Sequence, residues 1–201
     1  MKYRNITYPA GFGENLGIGV TQHSSEKYQA EFTNFSDNLE TPYNLTEPTE
    51  WKLLDGSASA KFSGRLIGGC IDVIGNLVGT AYGDMGHFNN TFRQDGIIVY
   101  LENCELSPCA ITRALWQMRM AGWFDSATGV VFGRSGIQDT SNASDLSYVE
   151  ALERCTTGLD IPIVYDADIG HTPPNMTLIN GALAELSIDH EKATLTQSMA
   201  Q

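Results

Sequence analysis

Two side chains in this sequence combine proton-moving chemistry with a position from which to use it. Glu102 directly follows the apolar run Ile97-Ile98-Val99-Tyr100-Leu101. A carboxylate there stands where a strand ends, which is where α/β proteins build their sites. A charge that simply marks the point where a strand meets water accounts for it as well. His171 lies in Gly170-His171-Thr172-Pro173-Pro174, just after a second strand-like run at 161–165. Glycine and proline hold that backbone while the ring is free to turn into a cleft, and an imidazole that titrates near neutrality suits proton transfer. An ordinary surface-loop histidine is the other reading. Taken together, the two residues suggest an acid that orients an imidazole base, as in a Ser-His-acid triad.

The nucleophile is harder to find. No Gly-x-Ser-x-Gly elbow occurs anywhere in the chain. Gly133-Arg134-Ser135-Gly136 follows a strand but lacks the second spacer, and Asn34-Phe35-Ser36-Asp37 sits in a polar stretch with no strand before it. Ser36 and Ser135 are therefore weak nucleophile candidates, each equally readable as a structural serine. Gly68 and Gly69, in Gly64-Arg65-Leu66-Ile67-Gly68-Gly69-Cys70, form a candidate substrate loop. Paired glycines let backbone approach a ligand or a neighbouring segment closely, and a tight turn would use them too. The segment has neither the Lys-Ser/Thr ending of a P-loop nor a GxGxxG spacing. His23, His87, His171 and His190 are scattered, without HExxH or paired Cys/His spacing, so no metal site is expected.

The elements that must position these groups follow from periodicity. Leu16–Thr21 reads as a short buried strand, and 26–50 as a polar, Pro-containing irregular connector. Structure resumes at Trp51–Leu54. A strand from Ala58 to Leu66 is expected to break at Gly68-Gly69, and a helix over Cys70–Val78 to stop at Gly79. Asp84-Met85-Gly86-His87 reads as loop. Gly96–Glu102 is a continuous apolar strand of the kind covered on both faces. Ser107-Pro108 is an N-cap followed by the first helical residue, with Ile111, Ala114, Leu115 and Met118 on one face. A strand at Gly129–Phe132, a helix opened by the capping box Ser147/Glu150, and strands at 161–165, 184–188 and 193–197 complete the pattern. Strands alternate with helices over 96–165 and dominate the ends, which indicates an α/β chain with a mixed sheet.

Bulk properties narrow the function classes. With 12 Lys+Arg against 24 Asp+Glu the net charge is −12, the wrong sign for meeting phosphates, so no nucleic-acid partner is expected. No apolar run approaches the roughly 18–20 residues that span a bilayer, so no membrane partner is expected. Met1–Asn5 is not followed by a secretory apolar core, and Cys70, Cys104, Cys109 and Cys155 show no framework spacing. Reduced thiols and a cytoplasmic location are the expectation.

Several of these segments, in order, resemble the C-terminal domain of the LD-carboxypeptidase family, which includes the microcin-C immunity peptidases. They are Gly64–Cys70, Ile97–Glu102, Leu115–Asp125 with Met118-Arg119-Met120-Ala121-Gly122-Trp123-Phe124-Asp125, Val130–Gly133, and Asp168–Asn175 with Leu178. The resemblance implies a serine peptidase with a Ser-Glu-His triad and no cofactor, in which Glu102 and His171 match the Glu and the His. It implies cleavage of the L,D-peptide bond of muropeptides, or of the amide in microcin-C-like peptidyl nucleotides. It also implies an N-terminal Rossmann-like domain bearing the serine and the oxyanion-hole amides. Only 1–25 is similar to the start of that domain, and by about Tyr28 the chain resembles the approach to the C-terminal one. The expected layout is a remnant at 1–25, a connector at 26–50, and an LD-carboxypeptidase-like domain at 51–201. Its fold would be α/β, a three-layer ββα (swivelling-type) domain with a mixed sheet and a short orphan N-terminal strand. Such a chain is expected to be inactive alone, and the surface left open would favour a homodimer. A non-catalytic binding or oligomerisation domain is the alternative.

Overall fold

The fold is set by a run of strands buried on both faces. Ile97–Glu102 (β6) is buried at all six positions, so its alternating side chains must feed two different core layers. In the computed structural model, which describes residues 19–31, 43–137, 139, 142 and 145–199, they do. Ile97, Val99 and Leu101 join a helix-facing layer. Ile98 and Tyr100 join a layer on the opposite side, with Trp51, Phe62, Leu66, Leu186 and Leu195.

The sheet is mixed. Four strands, Ser59–Cys70 (β5), β6, Ala127–Gly133 (β7) and Ile163–Ala167 (β8), run parallel in that order. Lys52–Leu53 (β4) closes one edge antiparallel to β8. On the other side Leu183–Asp189 (β9) pairs antiparallel with β5, and Lys192–Ser198 (β10) with β9. Val20–His23 (β1) finishes that edge against β10, giving the order β1-β10-β9-β5-β6-β7-β8-β4. The expected strand at Leu16–Thr21 is described only from its last residues, and these find an edge of this sheet. The sheet curls back on itself, for the Trp51 amide, just before β4, donates to the Glu191 carbonyl in the turn between β9 and β10 at 3.0 Å. Residues from β5, β9 and β10 thereby pack over β6, β7 and β8. Helices cover the other face, giving the ββα layering.

The helices start where their caps allow. Pro108–Met120 (α3) is capped by Ser107, whose hydroxyl accepts from the Ala110 amide, and it buries Ile111, Leu115 and Met118. Tyr148–Thr156 (α4) opens with the reciprocal Ser147/Glu150 capping box. Three expectations are corrected. Gly68-Gly69 does not break the strand: β5 runs through both glycines to Cys70. At Gly68 (φ +157) a side chain would place its Cβ 1.6 Å from the Tyr100 carbonyl oxygen, so the glycine lets β5 and β6 come together. The helix expected over Cys70–Val78 is one turn, Ile71–Ile74 (α1), with Gly75 as its C-cap. Met85–Thr91 (α2) is helical where a loop was expected, because the Asp84 carboxylate accepts from the Gly86 and His87 amides. Within the stretch expected to be an irregular connector, Lys27–Tyr28 (β2) and Glu47–Pro48 (β3) form a short antiparallel ladder. No helix among the described residues is long and apolar enough to cross a membrane.

Candidate active site

Glu102 is the last residue of β6, and the parity that turns Ile98 and Tyr100 into the sheet-covered layer turns its side chain the same way. It is 5% exposed. Two glycines make that burial possible. A Cβ on Gly133, at the end of β7, would lie 3.1 Å from the Glu102 Cβ, and one on Gly170 would lie 2.7 Å from its Oε2. Gly170 has φ +111, a backbone region that favours glycine. The loop after β8 can therefore lie against the carboxylate, and it delivers His171.

Glu102 and His171 are brought together. Glu102 Oε2 stands 3.0 Å from His171 Nδ1. A carboxylate only accepts, so Nδ1 carries the proton and donates it. That tautomer leaves a lone pair on Nε2, which makes no hydrogen bond to any described residue. The imidazole is more than half exposed while the carboxylate is buried. A buried acid that fixes the ring and an open nitrogen on its far side are the parts of a general base with its orienting group.

The ring opens into a cleft of about 740 Å³ lined by Tyr28, Cys104, Arg134, Ser135, Asp139 and Thr172 among others. Ser135 therefore shares the cleft with His171, but its hydroxyl is engaged elsewhere. It donates to the Ile137 carbonyl at 2.9 Å and accepts from Asn103 Nδ2 at 3.0 Å. Ser36 lies outside the described residues. Gly68 and Gly69 do not line the cleft; Gly68 approaches Tyr100 and Asn180 instead, and Gly69 faces the Ile74 side chain. Two cysteines flank Glu102. Cys70 is its register partner on β5, and burial, then the Glu102 carboxylate, push its thiol up to about 12. Cys104 is raised for the same two reasons in the same order. Both are thiols rather than thiolates near neutrality. Among the described residues no group of three or more His, Cys, Asp or Glu side chains is placed to hold a metal ion.

Sequence reasoning did not single out the charged pair behind the histidine loop. Asp168 is 1% exposed and is ion-paired with Arg134, itself 5% exposed. The carboxylate also accepts from the Ser25 amide and hydroxyl, both at 2.8 Å, and from Trp51 Nε1 at 3.2 Å. Asp168 lies three residues before His171 and Arg134 directly before Ser135. That proximity was the only signal available, because the partners are remote in sequence.

Comparison with known proteins finds relatives for this chain. Residues 63–186 match the LD-carboxypeptidase C-terminal domain, a stretch that contains Glu102 and His171. The microcin C7 self-immunity protein MccF of Escherichia coli is 25% identical over 139 residues, covering 69% of this chain and 38% of that protein. A probable murein peptide carboxypeptidase of Bacillus subtilis is 23% identical over 163 residues, 81% of this chain and 48% of its own. The chain thus spans less than half the length of these curated relatives. Among solved structures, an MccF-like protein of Streptococcus pneumoniae in complex with AMP superposes with a TM-score of 0.63 at 24% identity, covering 87% of this chain and 52% of that one. At that identity the likeness speaks for the fold.

Proposed function

The chain belongs to the LD-carboxypeptidase family through its C-terminal domain, and on that premise we propose that Glu102 and His171 are the orienting carboxylate and the general base of a serine-hydrolase site. The observation that carries the proposal is the 3.0 Å contact between Glu102 Oε2 and His171 Nδ1. In the reaction, Nε2 takes the proton of an attacking serine hydroxyl and returns it to the leaving amine, while Glu102 holds the tautomer and stabilises the imidazolium. The bond cleaved is an amide: the L,D-peptide bond of a muropeptide, or the linkage of a microcin-C-like peptidyl nucleotide. The names of the murein peptide carboxypeptidase and of the microcin self-immunity protein support those two substrate classes.

Among the described residues no serine hydroxyl is hydrogen-bonded to His171 Nε2, so the same proposal expects no turnover from these residues by themselves. Base and orienter have nothing to activate without a serine at Nε2, and an oxyanion needs donors aimed at it as well. Ser135 favours a second reading, a complete hydrolase, because it shares the cleft with His171. A fluorophosphonate probe separates the two. No labelling of the native chain is expected, whereas one serine labelled in the folded but not the heat-denatured protein establishes the second reading. The roles of the pair are tested by fusing the N-terminal half of the Bacillus subtilis relative ahead of Thr46 and following D-alanine release from a tetrapeptide muropeptide, with amide cleavage of an aminoacyl sulfamoyl nucleotide in parallel. Activity in the fusion should fall about a thousandfold or more in Glu102→Gln and His171→Ala. Full activity in either variant removes the assignment. Self-association belongs to the proposal too: Val73, Tyr82, Trp116 and Met120 are exposed apolar side chains, and sedimentation velocity reads whether they join two copies.

A further inference from the structure

The Arg134–Asp168 pair is a buried charged unit that the proton chemistry of Glu102 and His171 does not itself use. Removing two ions from water is costly, and an apolar pair of similar volume often serves stability as well. Its connections indicate what it does. Asp168 is held by four donors: Ser25 through its amide and hydroxyl, Trp51 Nε1, and Arg134. The guanidinium reaches onward from there. Nη2 donates to Thr49 Oγ1 at 3.2 Å and Nη1 to the Thr172 carbonyl at 3.3 Å, while its Cζ lies over the Tyr28 ring, 4.4 Å from the centre. The unit therefore grips the loop at Asp168, three residues before His171, and at Thr172, the residue after it.

We propose that Arg134 is the positioning residue of His171: fixed by Asp168, its planar fork holds the Thr172 carbonyl and thereby sets the imidazole against Glu102. The fork is essential to this role. A lysine would keep the charge beside Asp168, but its single ammonium lacks the rigid geometry that serves Asp168, Thr49 and Thr172 together. Gly170 makes such a clamp necessary, since the residue that lets the loop approach Glu102 also leaves it the freest backbone. The inference rests on the reading of His171 as the base. Its test observes the imidazole directly and needs no turnover, so it fails separately from the hydrolase assignment.

The test is an NMR measurement on the full chain labelled with ¹⁵N-histidine, with the His171 Nδ1 proton assigned by its loss in His171→Ala. Three variants are compared: Arg134→Met, Arg134→Lys and Leu115→Ala. Leu115 is fully buried in the helix-facing layer, so its variant destabilises the fold without touching the clamp. In Arg134→Met the Nδ1 proton should exchange about tenfold faster or vanish, the protection that roughly one hydrogen bond supplies. Arg134→Lys should behave the same way even where its thermal midpoint recovers. Leu115→Ala should keep the wild-type signal. Should Arg134→Met not fold, Arg134→Lys carries the test with the same expectation. The proposal is overturned by wild-type exchange in whichever Arg134 variants fold, or by an equal loss of signal in Leu115→Ala.

Discussion

At the scale of single residues, the site depends as much on what is missing from a side chain as on what is present. Gly170 combines φ +111 with a position where a Cβ would fall 2.7 Å from Glu102 Oε2. Gly170→Ala should therefore cost about 1–3 kcal/mol in urea unfolding from the strained backbone alone, and it should displace the carboxylate from His171. Retention of the His171 Nδ1 proton resonance in that variant would show that the loop has room the structure denies it. The thiols beside Glu102 give a second expectation. Cys70, pushed up to about 12 by burial and then by Glu102, is protonated at pH 8, whereas Cys109 is exposed on α3. Maleimide at pH 8 should modify Cys109 first and leave Cys70 intact until the protein unfolds, which peptide mass mapping after timed quenching would check. Glu102 and His171 were legible in the sequence because each carries its own local signal, a carboxylate closing an apolar strand and a histidine in a stiff loop. Arg134 and Asp168 were not, because their partners lie 34, 85, 117 and 143 residues away. No local pattern encodes a contact of that range.

At the scale of elements, legibility followed the same division. The helices α3 and α4 were readable, since each joins a serine cap, a local hydrogen bond written within four residues, to a periodic apolar face, whereas α2, capped by Asp84, lacked such a face and was missed. In α4 the Ser147 hydroxyl accepts from the Glu150 amide while Glu150 Oε2 accepts from the Ser147 amide at 2.8 Å. Ser147→Ala should lower stability by about 1 kcal/mol, and Glu150→Gln, which can still accept, should cost less. Equal losses in urea titrations would mean that charge, not the reciprocal bonds, holds the helix start. The strands were harder. A glycine pair ordinarily signals a break, yet β5 continues through Gly68 and Gly69, and at Gly68 the neighbouring strand needs the missing side chain. Such a requirement comes from Tyr100, a residue on another strand. The single turn of α1 shows the converse. Ile71, Ile74, Leu77 and Val78 have helical spacing, but Gly75 becomes the C-cap and Leu77 is 38% exposed, so the pattern overstated the element.

At the scale of the whole molecule, the shifted groups among the described residues lead us to expect a fold more sensitive to alkali than to acid. Among the described residues, carboxylates held below their usual range are Asp55, through hydrogen bonds from Ser57, and Glu150, through those from Ser147. Both are at the surface, and what they contribute is present above about pH 4 and lost only as pH falls through their depressed values. The raised groups are more numerous and deeper. Burial raises Tyr100, Tyr148 and Tyr165 and the thiols of Cys70, Cys104 and Cys155. On Lys52 burial acts in the opposite direction, and Asp166 outweighs it to raise the ammonium. A group whose folded value is raised binds its proton more tightly in the native state. Its contribution is complete below the unfolded value and disappears as pH climbs through the folded one. For Cys70 that window runs from about 9 to about 12, and the phenols extend it upward. Every proton lost there also adds to a net charge already at −12, so self-repulsion acts in the same direction. The urea midpoint should stay level from pH 6 to about 9 and then decline steeply. Tyr148, whose hydroxyl donates to the Gly133 carbonyl at the end of β7, provides the internal check. Tyr148→Phe should lower the plateau by about 1 kcal/mol for the lost hydrogen bond, yet decline less steeply above pH 9. A variant curve that runs parallel to wild type through the alkaline range would place the loss in other groups, and a wild-type curve level to pH 11 would remove the asymmetry itself.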